Sequence, residues 1–248
     1  MEEEYIAGRH SVQEALRSGR TIHKLYVAEQ AQKQQLSPIL AEAKKQGVVV
    51  QVADKRKLDQ LAQNIPHQGV VAQVTAYEYM ELEVLIARAQ ESGTPPFLLI
   101  LDEIEDPHNL GSILRTADCA GVHGVIIPKR RSVGLTATVS KTSAGAIEYV
   151  PVARVTNIAQ TIEQLKEAGI WVAGTDVDGQ QSVYQADFRM PLAIVIGNEG
   201  KGIGRLIKEK CDFLVTLPMY GQINSLNASV AASVLMYEVV RQRSHPVS

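Results

Sequence analysis

The 248-residue chain lacks the features that mark disulfide-rich, metal-binding and membrane proteins. Its two cysteines, Cys119 and Cys211, stand singly on predicted helices without the paired spacing of a zinc site. We therefore expect buried, free thiols in a reducing compartment. No apolar run approaches the ~20 residues that span a bilayer, and the acidic start Met1–Tyr5 lacks the apolar segment of a secretory signal. These absences predict a soluble, cytoplasmic protein with no membrane or metal partner.

The chain also lacks an excess of charge of either sign. Its 25 Lys and Arg residues face 27 Asp and Glu residues, which gives a formal net charge of -2. This balance excludes a protein that binds nucleic acid through bulk positive charge, so any such contact must come from local patches. With 45% hydrophobic and 21% charged residues, the composition is that of a folded globular protein.

Glycine and proline concentrate at Gly93–Pro96, a stiff, non-helical segment that marks a boundary. Well before it, strand and helix patterns alternate over a small, mildly basic α/β domain, which we place at residues 1–75. Residues 76–96 are predicted to be a linker that contains one short helix. Residues 97–248 are predicted to form the second domain.

The second domain alternates regularly between apolar segments and helical patterns. Strands are predicted at Phe97–Leu101, Gly124–Ile127, Ile170–Gly174, Leu192–Ile196 and Phe213–Leu217. Strands that are apolar throughout and separated by helices indicate a parallel sheet covered on both faces. The predicted fold class is therefore α/β, with a doubly wound parallel sheet.

The first unusual polar segment, Glu103–Arg115, directly follows a predicted strand. Asn109 is placed to cap a helix that begins near Leu110, and Arg115 lies on that helix. Open α/β sheets bind ligands at the carboxyl ends of their strands, so an amide and a cation here indicate a ligand site. A helix cap followed by a surface arginine explains the segment almost as well.

The second segment, Ile194–Gly204, is rich in glycine, which lets a ligand approach the backbone closely. It matches neither standard nucleotide loop: Arg205 stands where G-x-G-x-x-G needs its last glycine, and Lys201 precedes Gly202 rather than Ser or Thr. Glu199 would repel a phosphate and suits a cationic or hydroxyl-bearing ligand better. A flexible turn is the alternative reading.

The third segment, Val215–Ser229, places several amides and hydroxyls at the start of a predicted helix. They are Asn224, Ser225, Asn227 and Ser229. Helix capping accounts for one or two such residues but not for four. The helix that follows has small residues, which favour close packing in a core or a dimer interface.

In this order, the three segments resemble the motifs of the SpoU branch of the SPOUT RNA methyltransferases. Asp106–Arg115 resembles the first motif, Ile196–Gly200 the second and Leu217–Ser229 the third, and the likeness extends over residues 97–243. A triple of this kind is very specific. Near the amino terminus, the segments Ile6–Leu16 and His67–Gly69 resemble the small ribosomal-protein-L30-like domain that binds substrate in many members.

The resemblance implies a fold and a cofactor. The carboxyl-terminal part of the sheet would be threaded into a deep trefoil knot, and S-adenosylmethionine would sit bent inside that knot. Backbone groups and apolar contacts would hold it. The implied cofactor-binding residues are Thr175, Gly197, Leu217 and Leu226.

The resemblance also implies a reaction, the 2'-O-methylation of a guanosine in the peptidyl-transferase loop of 23S rRNA. The family's conserved polar residues are all present here, at Asn109, Arg115, Glu199, Ser225 and Asn227. Because a guanidinium stays charged, Arg115 is a poor base and would instead hold a phosphate or stabilise the developing alkoxide. Family members are homodimers, so Arg115 would act either within its own chain or on the partner's cofactor.

Two alternatives stay open at this point. The RNA substrate could be a tRNA rather than 23S rRNA or a ribosome-assembly intermediate. The chain could also be a non-catalytic RNA-binding or ribosome-assembly factor built on the same fold. The intact polar set, Arg115 above all, favours the enzyme, because a pure binding protein has no need of it.

Overall fold

The computed structural model describes residues 3–30, 33–177, 179 and 181–244, which fall into two separately packed units. The first unit extends to Glu78 and also includes Gly134–Tyr149. The second unit consists of Tyr79–Val133 and the chain from Val150 onward. This division differs from the predicted linear one in two ways. Most of the expected linker packs within the second unit, and a segment from the expected second domain packs within the first.

The elements alternate between strand and helix along most of the chain. The strands are β1 (Glu3–Ala7), β2 (Ile22–Ala28), β3 (Val50–Ala53), β4 (Val70–Thr75), β5 (Phe97–Leu101), β6 (Gly124–Pro128), β7 (Val152–Val155), β8 (Trp171–Thr175), β9 (Gln181–Ser182), β10 (Leu192–Ile196) and β11 (Phe213–Thr216). The helices are α1 (Arg9–Arg17), α2 (Lys33–Lys45), α3 (Lys55–Leu61), α4 (Leu82–Gln90), α5 (Pro107–Cys119), α6 (Ala137–Thr142), α7 (Ile158–Glu167), α8 (Arg205–Lys210) and α9 (Ala228–Ser244).

The first unit is built on a mixed four-stranded sheet in the order β1-β4-β2-β3. Strand β4 pairs antiparallel with β1 and β2, while β2 and β3 are parallel. Alternate residues of its strands face two different clusters: Val70 and Ala72 pack with α1 and α2, whereas Val71 packs with Leu58 of α3. Helices therefore cover both faces of this small sheet, as the period of two along a strand requires.

A buried ion network joins the inserted segment to the rest of the first unit. The side chain of Arg20 is only 7% exposed; it pairs with Glu148 at 3.0 Å and with Glu4 at 2.9 Å, and its Nε donates to the carbonyl of Thr75. The guanidinium also lies 3.5 Å from the ring centroid of Tyr77, whose hydroxyl donates to Glu148 at 2.7 Å. Burial raises the pKa of Tyr77, so its hydroxyl stays protonated as that donor.

The second unit contains a seven-stranded sheet in the order β7-β6-β5-β10-β8-β11-β9, and every pairing in it is parallel. Its central strands β5 and β10 are buried over their whole length. On one face, Leu98, Ile100 and Val195 pack with α4 and α7. Helix α5 packs along α9, and α9 contacts β10. The predicted doubly wound α/β class is thereby confirmed.

Some elements were not predicted. Strand β1 begins with glutamates, and β7 and β9 are short, so none of them shows a long apolar run. Cys119 is exposed at the end of α5, which makes its expected burial wrong, whereas Cys211 is partly buried and burial raises its pKa to about 12. The trefoil knot stays a prediction. Within the part of the chain that the structure describes, no helix has the length and apolar character needed to cross a membrane.

The Arg20–Glu148 pair gives a stability prediction. Glu148→Ala removes one of the two carboxylates that pair with the buried Arg20 guanidinium, together with the acceptor of the Tyr77 hydroxyl, and should cost up to about 3–5 kcal/mol of the free energy of unfolding. Urea unfolding followed by circular dichroism measures this loss. Glu42→Ala is the control, because it breaks the exposed Lys45–Glu42 pair and should cost less than about 1 kcal/mol. Equal losses in the two variants would contradict the structural role given to Arg20.

Candidate functional site

The three polar segments of the second unit meet at one edge of its sheet. They follow β5, β10 and β11, and β5 and β10 are direct neighbours, as are β10 and β8 and then β8 and β11. Because all these strands are parallel, their carboxyl ends lie side by side and so do the loops that leave them. Residues separated by more than a hundred positions in the chain therefore share one site.

The predicted capping role of Asn109 is wrong. Helix α5 begins earlier, at Pro107, and the carboxylate of Asp106 caps it by accepting from the backbone N–H of His108 at 2.8 Å. Proline suits the first helical position because the N–H that it lacks would have no helical partner there. Asn109 thus lies inside the first turn, where its side chain is free to point away from the helix end.

Glu199 connects the three segments through one carboxylate oxygen. Its Oε1 accepts hydrogen bonds from Asn109 Nδ2 at 3.0 Å and from Asn227 Nδ2 at 2.6 Å. It also accepts from the backbone N–H of Ala228 at 3.0 Å, and Asn227 Nδ2 lies 3.0 Å from Asn109 Oδ1. Hydrogen bonds to a charged acceptor are the stronger kind. Three of the five predicted polar residues therefore form one cluster.

Asn227 also caps the amino terminus of helix α9. Its Oδ1 accepts from the backbone N–H groups of Ser229 at 3.0 Å and Val230 at 3.3 Å, and from the Ser229 hydroxyl at 2.6 Å. The amide thus caps the helix with its oxygen and contacts Glu199 with its nitrogen. Capping of α9 accounts for the presence of Asn227 and Ser229 at this point of the chain, but it does not account for Asn224 and Ser225.

Two residues that the sequence reasoning did not single out hold the glycine-rich loop. Asn198 donates to the carbonyl of Glu103 at 3.2 Å and accepts from the N–H of Gly200 at 2.9 Å. Asp102, 8% exposed at the end of β5, accepts from the N–H of Gly204 at 3.3 Å. Burial raises the pKa of Asp102. The sequence signal that could have identified Asp102 is its position as a carboxylate directly after a fully apolar strand.

A pocket of about 420 Å³ opens beside this cluster. All four predicted cofactor-binding residues line it, and so do Glu199 and Ser225; the four are Thr175, Gly197, Leu217 and Leu226. Ligand pockets commonly measure 300–1,000 Å³ and combine apolar walls with a few polar groups. The structure thus brings these residues together, while their roles in binding stay predictions.

The lining suits a small molecule that combines charged groups with an apolar part. Val215, Leu217 and Leu226 supply apolar surface. The charged groups of the lining are the carboxylates of Glu199 and Asp176 and the ammonium groups of Lys201 and Lys208, and Asp176 pairs with Lys208. The Thr175 hydroxyl is already bonded to the carbonyl of Val195 at 2.9 Å. S-adenosylmethionine, with its adenine ring and its sulfonium, fits a lining of this composition.

Arg115 does not join this cluster. It is exposed on α5, it does not line the pocket, and among the described residues it has no hydrogen-bond or ion-pair partner. The next residue, Thr116, lies 3.1 Å from Ser233 of α9 through their hydroxyl oxygens, so Arg115 stands beside the α5–α9 contact. The same described residues contain no group of three or more metal-ligating side chains.

Two family models match almost the whole chain. Residues 96–237 match the SpoU rRNA Methylase family, and residues 5–80 match the model described as RNA 2'-O ribose methyltransferase substrate binding. The chain is 58% identical to the TrmH family protein YacO of Bacillus subtilis (strain 168) over 241 residues, which cover 97% of this chain and 96% of that protein. It is 56% identical to a TrmH family protein of Staphylococcus haemolyticus (strain JCSC1435) over 243 residues, with coverage of 98% and 97%. Both relatives are named as tRNA/rRNA methyltransferases.

A solved structure resembles the chain over nearly its whole length. It is the SpoU methyltransferase AviRb from Streptomyces viridochromogenes in complex with AdoMet, which is S-adenosylmethionine. The TM-score is 0.82 at 28% sequence identity, and the match covers 98% of this chain and 91% of that one. The similarity therefore includes both the sheet of the second unit and the smaller first unit.

Gly197 gives a prediction with a matched control. A methyl group at Gly197 would overlap the backbone of Gly202, so Gly197→Ala must displace the glycine-rich loop. A methyl group at Gly200 would meet its nearest neighbour, Asn198 Oδ1, at 3.6 Å, an ordinary contact. We expect Gly197→Ala to weaken S-adenosylmethionine binding at least about ten-fold and Gly200→Ala to leave it within about two-fold. Titration calorimetry measures both, and equal affinities would show that the loop does not shape the pocket.

Proposed function

This chain belongs to the SpoU family of RNA methyltransferases, and we propose that it methylates the ribose 2'-oxygen of a guanosine in 23S rRNA. The family uses S-adenosylmethionine as its methyl donor. The observation that carries the proposal is the cluster at Glu199, where the three motif segments meet beside a pocket that suits this cofactor. A purely RNA-binding protein would have no use for such a pocket, which counts against the non-catalytic alternative.

We assign cofactor binding to four residues that line the pocket: Thr175, Gly197, Leu217 and Leu226. When bound, S-adenosylmethionine supplies a methyl group on a positively charged sulfur. Leu217 and Leu226 provide apolar surface for a flat ring, and Gly197 lets the backbone approach closely. Ser225 also lines the pocket and is available to hydrogen-bond the substrate or the cofactor.

Glu199, Asn109 and Asn227 are positioning residues in this proposal. The Oε1 of Glu199 is already engaged by three donors, so its main effect is to hold the loops in place. A ribose 2'-hydroxyl is a weak nucleophile, and charge develops on its oxygen as the methyl group is transferred. The positive charge of Arg115 stabilises that oxygen or holds the adjacent phosphate, because a guanidinium cannot take up a proton.

We assign the active form to a homodimer in which Arg115 acts on the partner's cofactor. Arg115 is exposed and does not line the pocket of its own chain, so a second copy provides a direct way to bring the two together. Two apolar side chains on α9, Val230 at 47% and Tyr237 at 52% exposure, stand seven residues apart and so share one helix face. An exposed apolar face of this kind suits association with another copy.

The preferred substrate is 23S rRNA, and tRNA is the alternative. The relatives are named for both classes of RNA, so the choice rests on the first unit, which matches an RNA substrate-binding model and favours a large structured RNA. Both cysteines are free thiols, which suits a reducing compartment, so we place the protein in the cytoplasm.

Ribose-methylation mapping tests the substrate. Cells that lack this protein should lose one 2'-O-methyl group, on a guanosine of the peptidyl-transferase loop of 23S rRNA, and regain it with the wild-type protein. A Gly197→Ala protein should fail to restore it because its pocket is displaced. If the lost methyl group lies in tRNA, the alternative substrate is correct, and if none is lost from any RNA, the proposed reaction is wrong.

Arg115→Ala should lower the methylation rate about 100-fold or more, while the affinity for S-adenosylmethionine stays within about two-fold. The loss follows from removing the charge next to the reacting oxygen. Single-turnover transfer of a labelled methyl group measures it. Arg88→Ala, which removes an exposed arginine from α4, is the control and should leave the rate unchanged. An unaltered rate in Arg115→Ala would refute the assigned role.

Mixed dimers distinguish action within one chain from action across the interface. Random pairing of Arg115→Ala with Gly197→Ala subunits gives mixed dimers in about half of the molecules. If Arg115 acts on the partner, each mixed dimer has one intact pocket facing one intact arginine, and about a quarter of wild-type activity returns. If Arg115 acts within its own chain, the mixture stays inactive.

A further inference from the structure

Lys141 holds an unusual position in the first unit. It lies on α6, in the inserted segment, and its ammonium group occupies the space that a side chain at residue 8 would need. A methyl group added to Gly8 would overlap the Lys141 Nζ and come within 3.3 Å of its Cδ and Cε. Gly8 also has a φ of 101°, which favours glycine. The end of the Lys141 side chain therefore lies directly against the backbone of Gly8, one residue before Arg9.

The Lys141 ammonium has a cation as its electrostatic neighbour. Its pKa is lowered, first by partial burial and second by the positive charge of Arg9. Within the described ranges of the chain, neither Lys141 nor Arg9 forms an ion pair with a carboxylate. The Lys141 Nζ lies against the backbone of Gly8, the residue before Arg9, so the two positive charges belong to one part of the surface, and a bound anion would relieve the repulsion between them.

Arg9 is held in place by neutral groups rather than by acidic ones. Its Nη1 donates to Gln35 Oε1 at 2.5 Å, and its backbone N–H donates to Gln68 Oε1 at 3.1 Å. Gln68 itself has a φ of 52°, in the region that most residues avoid. Amide oxygens orient the arginine without neutralising it, so its charge remains available to a ligand.

We propose that Lys141 and Arg9 form a binding site for a backbone phosphate of the RNA substrate. This inference rests on the proposed function, because the phosphate is that of the RNA to be methylated. A lysine supplies a compact charge and an arginine a planar fork of donors, and both are standard phosphate ligands. The model for RNA substrate binding ends at residue 80, so the site takes its lysine from a segment outside that match.

Salt-dependent RNA binding tests the site in the full-length protein. The probe is a 23S rRNA transcript that carries the peptidyl-transferase loop, and filter binding over a series of salt concentrations gives the affinity and its salt dependence. Lys141→Ala should weaken binding about ten-fold at low salt and lower the slope of log affinity against log salt by about one. A purely structural lysine would not change that slope.

Two controls accompany this variant. Lys45→Ala removes a lysine of the same unit that already pairs with Glu42, and it should leave both the affinity and the slope unchanged. Lys141→Gln, which keeps a polar side chain of similar length without the charge, should weaken RNA binding and lower the slope as Lys141→Ala does. The affinity for S-adenosylmethionine should stay constant throughout, because the pocket lies in the other unit.

The outcomes separate this inference from the proposed function. If the wild-type protein binds and methylates the transcript but Lys141→Ala binds it with unchanged affinity and slope, the phosphate site is refuted and the proposed function stands. If Lys141→Arg restores the slope that Lys141→Ala loses, the site is supported. If the wild-type protein binds no RNA, the proposed function fails, and the phosphate site fails with it.

Discussion

The second unit depends on one carboxylate oxygen that receives three hydrogen bonds. Glu199 Oε1 accepts from the side chains of Asn109 and Asn227 and from the backbone of Ala228. Asn109 lies in the first turn of α5, which follows β5, and Asn227 and Ala228 lie at the start of α9, which follows β11, whereas Glu199 is in the loop after β10. Loops rich in glycine and proline have little order of their own, because their backbones lose much entropy when they are fixed. A shared charged acceptor holds them in one arrangement, and the pocket is the space that this arrangement leaves.

Parallel strand pairing is what makes such sharing possible. In a parallel sheet every connection must return to the starting edge, so all the strands end at the same side. The polar segments of this chain can therefore be far apart in sequence and still converge. The apolar strands β5 and β10 serve as a rigid base, and their complete burial leaves chemistry to the residues just past their ends. Stability and function are thus divided between the strands and the loops.

The sequence predicted the second unit well and the division of the chain less well. Apolar strands and helical spacing are local patterns, so the parallel sheet followed from them. The residues lining the pocket were instead implied by the resemblance of the three polar segments to the motifs of a known family. The roles of Asn109 and of the segment 134–149 could not be predicted from local patterns, because they depend on contacts made across the fold. A capping residue cannot be told from a site residue when Asp106 stands three positions earlier. Nor does any local pattern show that Glu148 will meet Arg20.

The pairing of Arg20 with Glu148 has a consequence for how this protein can be divided. The chain leaves the first unit after Glu78, enters it again at Gly134 and departs for good after Tyr149. A fragment that stops near residue 78 would keep the buried guanidinium of Arg20 and its pairing with Glu4, but it would lose the more deeply buried of its two carboxylate partners, Glu148. The first unit is therefore made of two separate chain segments, and it cannot be exchanged by a single cut or a single gene fusion. Any transplant of the first unit into another enzyme has to carry two pieces of chain.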